Sequence, residues 1–264
     1  MAGIETPRLD ALVLLEDCSG KNRGYLLAHP EHSLAAAELA KLKNLLKQRA
    51  THAPLSYLRG KSEFYGREFI VSPAVLVPRP ESETMIELLS TLIKNPMQLK
   101  ITPINKTGWS IADIGCGSGA LGITAALELP GAHVELIEID DDAIKVAKMN
   151  VIKFATPLNI IKSDLLYATL QKYDILLCNL PYVPDGYVIN KAATYEPTHA
   201  IFGGPDGLDL YRRLFTQIHN LEYKPLYILT ESLPISHVGL QQIADTYGYK
   251  LLKTDDFIQI FVLK

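Results

Sequence analysis

The chain has 264 residues, 48% of them hydrophobic, and its 26 basic and 29 acidic side chains leave a net charge of −3. That length allows one large domain or a core domain with a smaller companion, and the hydrophobic share is ordinary for a chain that buries a core. The near-neutral balance excludes a global field that would draw the chain onto nucleic acid or anionic lipid.

From the amino terminus, residues 5–50 read as helical. Leu9, Leu12, Val13 and Leu15 recur on one face, and Ser19-Gly20-Lys21-Asn22 reads as a turn. Ser33 is the expected N-cap of a second helix carrying Leu34, Leu39, Leu42, Leu45 and Leu46. Lys41, Lys43, Lys47 and Arg49 would form its solvated face. The character changes at 62–77, where Glu63-Phe64-Tyr65-Gly66-Arg67-Glu68-Phe69-Ile70-Val71 predicts a hairpin with Gly66-Arg67 at its tip. Residues 1–60 therefore read as a small helical domain and 61–80 as a linking hairpin. Pro78-Arg79-Pro80 stops the strand, and Met85, Ile86, Leu88, Leu89 and Leu92 mark the helix that follows.

From about residue 108, strands alternate with helices. Strands are predicted at 109–114, 133–138, 158–162, 173–178, 225–231, 249–254 and 257–263, and helices at 119–128, 141–154, 208–220 and 236–247. Such alternation implies an α/β fold with a mostly parallel sheet. Only Asp255-Asp256 joins the last two strands, so they form a hairpin that makes the end of the sheet antiparallel. The stretch 183–206 lacks periodicity and is rich in Gly and Pro; so long a loop in a compact domain is usually functional.

Cys18, Cys116 and Cys178 are far apart and form no CxxC pair, which argues against a disulfide framework and a zinc site. The amino terminus has no basic-then-apolar signal pattern, and no apolar run approaches the length of a membrane span. A reduced, cytoplasmic setting without membrane contact is the default expectation.

Two motifs carry chemistry. Asp113-Ile114-Gly115-Cys116-Gly117-Ser118-Gly119 lies between the first strand of the alternation and its helix, where glycines let a ligand approach the backbone. No Gly-Lys-Ser/Thr follows, so it is not a P-loop. Glu138, at the end of the next strand, is placed to accept hydrogen bonds from both hydroxyls of a ribose, with Asp140 as a fallback. Asp164 follows the third strand and would meet an adenine amino group. A dinucleotide and S-adenosylmethionine compete for this pattern. Asp113 would repel a pyrophosphate and welcome an ammonium, which favours S-adenosylmethionine.

The second motif is Asn179-Leu180-Pro181-Tyr182, directly after the apolar run Tyr173–Cys178. Asn near Pro is common turn chemistry, and by itself the tetrapeptide says little. At the carboxyl end of a central strand, however, it stands where open α/β sheets hold ligands. The Asn179 oxygen and the Leu180 carbonyl can accept both hydrogens of a planar NH2 group while the Tyr182 ring covers its face.

With both motifs in place, the chain resembles the glutamine N5-methyltransferases that modify peptide-chain release factors. Further stretches carry the resemblance: Leu9-Asp10-Ala11, Pro54-Leu55-Ser56-Tyr57-Leu58-Arg59-Gly60, Glu63-Phe64-Tyr65-Gly66 and Val75-Leu76-Val77-Pro78-Arg79-Pro80-Glu81-Ser82-Glu83. Downstream, Tyr195-Glu196-Pro197, Phe202-Gly203-Gly204-Pro205-Asp206-Gly207-Leu208 and Tyr211-Arg212-Arg213 also match. The resemblance implies a class I S-adenosylmethionine-dependent methyltransferase fold, Rossmann-like with a seven-stranded sheet, over 81–264. It also implies a helical amino-terminal domain that docks the release factor, and the glutamine of a Gly-Gly-Gln loop as substrate, with S-adenosylhomocysteine as by-product.

By position, Asp113, Gly115, Cys116, Gly117, Ser118 and Gly119 would line the donor, Glu138 would bind ribose, and Asp164 with Leu165 would flank adenine. Asn179, which also borders the donor, would hold the glutamine amide together with the Leu180 carbonyl, beside Pro181 and Tyr182. Arg79 and Glu83 either order the linker over the pocket or pair at the surface. Leu180 departs from the family's Asn-Pro-Pro-Tyr: the carbonyl acceptor is kept but the fixed φ of Pro is not, which implies a looser loop or lower activity. His199 and His237 lack partner spacing and read as surface or capping residues.

Two other readings compete. An adenine-N6 DNA methyltransferase uses a similar site, but it needs a basic groove for phosphates, which the net charge does not favour; no direct nucleic-acid partner is expected. A weakly active S-adenosylmethionine-binding interaction protein is the other, and Leu180 is the feature that supports it.

Overall fold

In a computed structural model, which describes residues 4–100, 102, 104, 106 and 108–264, the amino-terminal part is helical: α1 (Pro7–Ser19), α2 (Arg23–Ala28), α3 (Ala36–Ala50) and α4 (Leu55–Arg59). Gly20, at φ 64°, closes α1 in the left-handed conformation, and Asn22 caps α2 by accepting from the Tyr25 N–H at 2.8 Å. Ser33 does not cap α3. That helix starts later, with the Glu38 carboxylate accepting from the Ala35 N–H at 2.8 Å, so the acceptor comes from inside the first turn. Arg49 also leaves the solvated face: it turns inward and pairs with the buried Asp10 at 2.7 Å, while Lys41, Lys43 and Lys47 stay exposed.

The hairpin pairs β1 (Lys61–Phe64) with β2 (Arg67–Ile70). Its tip is Tyr65-Gly66, one residue earlier than expected, because Arg67 already pairs with Phe64. Both tip residues have positive φ, 53° and 67°, as a two-residue turn matched to strand twist requires. The hairpin is pinned to the larger domain by the fully buried Asn150, whose amide accepts from the Ile70 N–H at 2.7 Å and donates to the carbonyls of Ile70 and Ser118, each at 2.9 Å.

A short turn over Pro80–Ser82 leads into α5 (Glu83–Lys94). The alternation then runs β3 (Ser110–Ile114), α6 (Ala120–Glu128), β4 (His133–Glu138), α7 (Asp141–Lys153), β5 (Asn159–Lys162), β6 (Ile175–Cys178), α8 (Asp209–Asn220), β7 (Tyr227–Glu231), α9 (His237–Thr246), β8 (Tyr249–Asp255) and β9 (Ile258–Leu263). The seven strands order as β5-β4-β3-β6-β7-β9-β8. The first five are parallel, and β9 and β8 are antiparallel.

Side-chain alternation along the strands splits the core in two. Ile111, Leu136, Leu177 and Leu229 face a cluster with α5 and α6, and Ala112, Ile137, Leu176 and Ile228 face one with α8 and α9. From β3 the chain first builds outward through β4 and β5, then returns to place β6 on the opposite side. That reversal opens a crevice at the carboxyl ends of β3 and β6. Ile114 pairs with Cys178, so Gly115 and Asn179 leave the sheet side by side.

Candidate active site

The loop after β3 is shaped by three glycines with positive φ, Gly115 (70°), Gly117 (53°) and Gly119 (80°). Gly115 and Cys116 both donate to the Ile137 carbonyl, at 2.8 and 3.0 Å, which holds the loop against β4. Gly122 explains why α6 lies so close to the sheet: a Cβ there would come within 2.2 Å of Leu136 and 2.9 Å of the Asp113 Cβ.

Glu138, buried at the end of β4, accepts from the Gly117 N–H at 2.9 Å, the Ile139 N–H at 2.7 Å and the Asp140 N–H at 3.0 Å. An ionised carboxylate offers about four lone-pair sites, so capacity remains for a ligand hydroxyl. Asp140 is engaged otherwise, capping α7 by accepting from Asp142 and Ala143. Both of those acceptances fall on one oxygen, and Asp140 borders the same cavity as Glu138.

Asp113 is the electrostatic anomaly of the loop. One carboxylate oxygen accepts from the Gly122 N–H at 2.8 Å; the other, Oδ1, is buried without a partner among the described residues. Burial raises its pKa from 3.8 to about 7, and the Gly122 N–H offsets only part of that. A buried, unsatisfied acceptor bordering a cavity is a place for a cation, and the ammonium of S-adenosylmethionine supplies one. The residues present thus fit this donor.

On the far side, Asp164 pairs with Arg213, and Leu165 follows in the left-handed region at φ 54°. Gln217 brackets this turn: its oxygen accepts from the Leu166 N–H at 2.8 Å and its nitrogen donates to the Asp164 carbonyl at 3.3 Å. Uncommon φ at a bulky residue, held by neighbours, is typical of ligand-clamping turns.

Asn179 lies at the end of β6, and its Nδ2 donates to the Ser82 hydroxyl at 3.0 Å. Leu180 is 2% exposed, and a Cβ on Gly115 would lie 3.2 Å from its side chain. Packing against the glycine loop thus restrains this residue in place of a proline ring. Tyr182 donates its phenol to the buried Glu231 at 2.9 Å. Two later glycines close the loop: a Cβ on Gly203 would meet the Pro181 carbonyl at 2.2 Å, and one on Gly207 the Tyr182 carbonyl at 2.1 Å.

These parts surround one cavity of about 300 Å³, at the lower end of small-ligand sites (roughly 300–1,000 Å³). Asp113, Gly115, Cys116, Gly117, Ser118, Glu138, Asp164, Leu165, Asn179, Leu180, Pro181 and Arg79 line it. Gly119, Tyr182 and Glu83 do not; Glu83 instead accepts from the Tyr65 N–H at 2.7 Å and braces the hairpin. His199, expected to be a surface or capping residue, is exposed but also borders the cavity, together with Arg213. His237 opens α9 with Nε2 3.2 Å from the Ser232 carbonyl. Among the described residues, no His, Cys, Asp and Glu cluster could hold a metal ion, and no helix is long and apolar enough to cross a membrane. All three cysteines are buried and free.

Sequence reasoning gave no individual role to Ser82 or Glu231, and Glu196 entered only through the matched stretch Tyr195-Glu196-Pro197. Glu231 carried a readable signal, a carboxylate ending an apolar strand; Ser82 and Glu196 depend on contacts with residues 97 and 117 positions away.

Residues 1–60 match the PrmC N-terminal domain family and residues 90–197 the methyltransferase small domain family. Among solved structures, the hMettl16 catalytic domain in complex with a MAT2A 3′UTR hairpin superposes with a TM-score of 0.57 at 15% identity, covering 92% of this chain and 91% of that one. The Thermus thermophilus 16S rRNA N2 G1207 methyltransferase gives 0.53 at 20% identity over 77% of this chain and 49% of that one. At such identities the likeness is one of fold. Fold and site together define a class I S-adenosylmethionine-dependent methyltransferase.

The relatives narrow this further. The chain is 35% identical over 222 residues to the release factor glutamine methyltransferase of Koribacter versatilis, covering 82% of this chain and 76% of that protein. It is 38% identical over 218 residues to the enzyme of the same name from Moorella thermoacetica, covering 80% and 73%. The chain belongs to the release factor glutamine methyltransferase family. The adenine-N6 DNA methyltransferase reading is not favoured by these relatives.

Proposed function

We propose that this enzyme transfers a methyl group from S-adenosylmethionine to the side-chain amide nitrogen of the glutamine in the Gly-Gly-Gln loop of a peptide-chain release factor. The observation that carries the reading is the adjacency of Asn179 and Gly115 at the ends of paired strands. It supports the reading because a side chain able to bind an amide stands beside the glycine loop proposed for the donor. The domain division follows: residues 1–60 dock the release factor, 61–80 link, and 81–264 carry the catalytic site. The partner is a protein of the translation machinery, with no direct nucleic-acid contact, which makes the setting cytoplasmic.

Bound S-adenosylmethionine supplies an electrophilic methyl group on a sulfonium. Asp113 pairs with the ammonium of the donor, Glu138 accepts from the ribose, and Asp164 and Leu165 flank the adenine. An amide nitrogen is a poor nucleophile because its lone pair is delocalised into the carbonyl. The oxygen of Asn179 and the carbonyl of Leu180 accept its two hydrogens, fixing the nitrogen and favouring a lone-pair-forward geometry, while Tyr182 packs beside it. Such positioning can contribute about 7–11 kcal/mol in favourable cases. No strong base is required at the start, since the nitrogen becomes far more acidic once methylated.

The test is transfer of labelled methyl from S-adenosylmethionine to purified release factor, with adenine-containing duplex DNA offered in parallel. Label is expected in the protein alone. Label in the DNA with none in the release factor would overturn the assignment.

A further inference from the structure

Asn179 and Leu180 serve a substrate amide only if the side-chain oxygen of one and the carbonyl of the other point at the same NH2 group. Pro181 fixes its own φ, but Leu180 leaves φ free where a proline ring would lock it. Restraint on the backbone must then come from outside the tetrapeptide, at its two ends.

Two tyrosine hydroxyls supply it, and both meet Glu231. The β6–β7 ladder stops at the pair Cys178 and Thr230, so Asn179 and Glu231 stand just beyond it. The phenol of Tyr211, fully buried on α8, reaches this open end of the ladder. Its one proton is shared between the carbonyls of Cys178, at 3.0 Å, and Glu231, at 2.5 Å. The first of these belongs to the peptide unit that leads into Asn179. At the other end of the tetrapeptide, Tyr182 donates its own phenol to Oε1 of Glu231 at 2.9 Å. Folding alone explains Glu231 poorly: it is fully buried and its Oε2 has no partner among the described residues, an arrangement that costs stability.

We propose that Tyr211 and Glu231 are positioning residues, which hold Asn179-Leu180-Pro181-Tyr182 at both ends and so keep its two acceptors aimed at one amide. Neither side chain lines the cavity. They act through the main chain before Asn179 and the ring of Tyr182. The identity of the target rests on the glutamine-amide reading above, whereas the clamp is a property of the enzyme alone.

The experiment pairs kinetics with hydrogen exchange on the full-length protein. Tyr211→Phe removes only the hydroxyl, and Glu231→Met removes the acceptor at similar volume. Each is expected to lower kcat for release-factor methylation by about tenfold or more, while donor Kd stays within about twofold. Glu231→Gln keeps an oxygen for the Tyr182 phenol and should stay within about threefold of the parent rate. With S-adenosylhomocysteine saturating the protein, amides of 178–184 should exchange about tenfold faster in Tyr211→Phe and Glu231→Met, and those of 113–119 at the parental rate. Three results would each overturn the positioning role: unchanged exchange across 178–184, kcat within about twofold of the parent in both variants, or a loss of donor affinity as large as the loss of kcat. Should the parent enzyme leave release factors unmethylated, the substrate reading falls, and the exchange rates alone decide whether the clamp exists.

Discussion

The guanidinium of Arg79 donates to Oε1 of Glu196 at 2.6 Å, and the Val77 N–H donates to Oε2 of the same carboxylate at 3.1 Å. Glu196 is nearly inaccessible, whereas Arg79 is about a third exposed at the cavity edge. An Arg between two prolines thus meets a buried carboxylate, not a surface one, and ties the linker to the loop that follows Tyr182. Next to it, the Tyr195 hydroxyl donates to Thr51 at the end of α3, extending the tie to the helical domain.

Glu196→Ala should therefore uncouple the linker from the loop. The expected result is a loss of about 1–3 kcal/mol in folding stability, as for hydrogen bonds to a charged group. The drop in methyl transfer should exceed the drop in donor affinity. Denaturant unfolding, a methyl-transfer assay and calorimetry measure the three; unchanged stability would show that the tie is dispensable.

Asp113 gives a pH dependence with a defined sign. Its folded pKa is raised from 3.8 to about 7 by burial, so from about pH 4 to 7 the folded chain holds a proton that the unfolded chain has lost. This group's contribution to stability therefore declines as pH rises through that window. The donor's ammonium favours the carboxylate, so donor affinity should rise with pH and level off above about 7. Calorimetric titration across that range, repeated on Asp113→Asn, checks both parts. A slope that survives in the variant would assign the dependence to another group.

Glu138 has a structural task besides the ribose. Glu138→Ala strips the acceptor from three backbone N–H groups, Gly117, Ile139 and Asp140. Thermal and denaturant unfolding should report a loss of about 2 kcal/mol, with donor affinity down more than tenfold. A variant of parental stability that merely binds the donor weakly would contradict the structural half.

Gly203 separates loop shape from donor binding. Its missing Cβ leaves room for the Pro181 carbonyl, so Gly203→Ala must displace one of the two segments. Turnover should fall by about a hundredfold, as misplacement of reacting groups allows, while donor Kd stays within about threefold. Normal turnover in this variant would mean that the loop tolerates displacement.

Much of this was legible in the chain itself. Strand–helix alternation, the glycine loop and the hairpin across Asp255-Asp256 are local patterns, and the seven strands fall within two residues of their expected positions. Ser33 and Arg49 were misplaced because the competing partners, the Glu38 carboxylate and Asp10, are equally ordinary in sequence. Glu83 looked like a linker residue until the hairpin backbone appeared above it. The surroundings of Asn179 and Tyr182 were not legible as a set, since Ser82 meets Asn179 and Glu231 meets Tyr182 only once the chain is folded.

The most direct measurement is tandem mass spectrometry of a release factor incubated with the enzyme and S-adenosylmethionine, beside an Asn179→Ala control that still binds the donor. One methyl on the side chain of the Gly-Gly-Gln glutamine, reduced at least a hundredfold in the control, is the expected result. A methyl on any other residue, or equal modification by the control, would contradict the role of Asn179 and the substrate together.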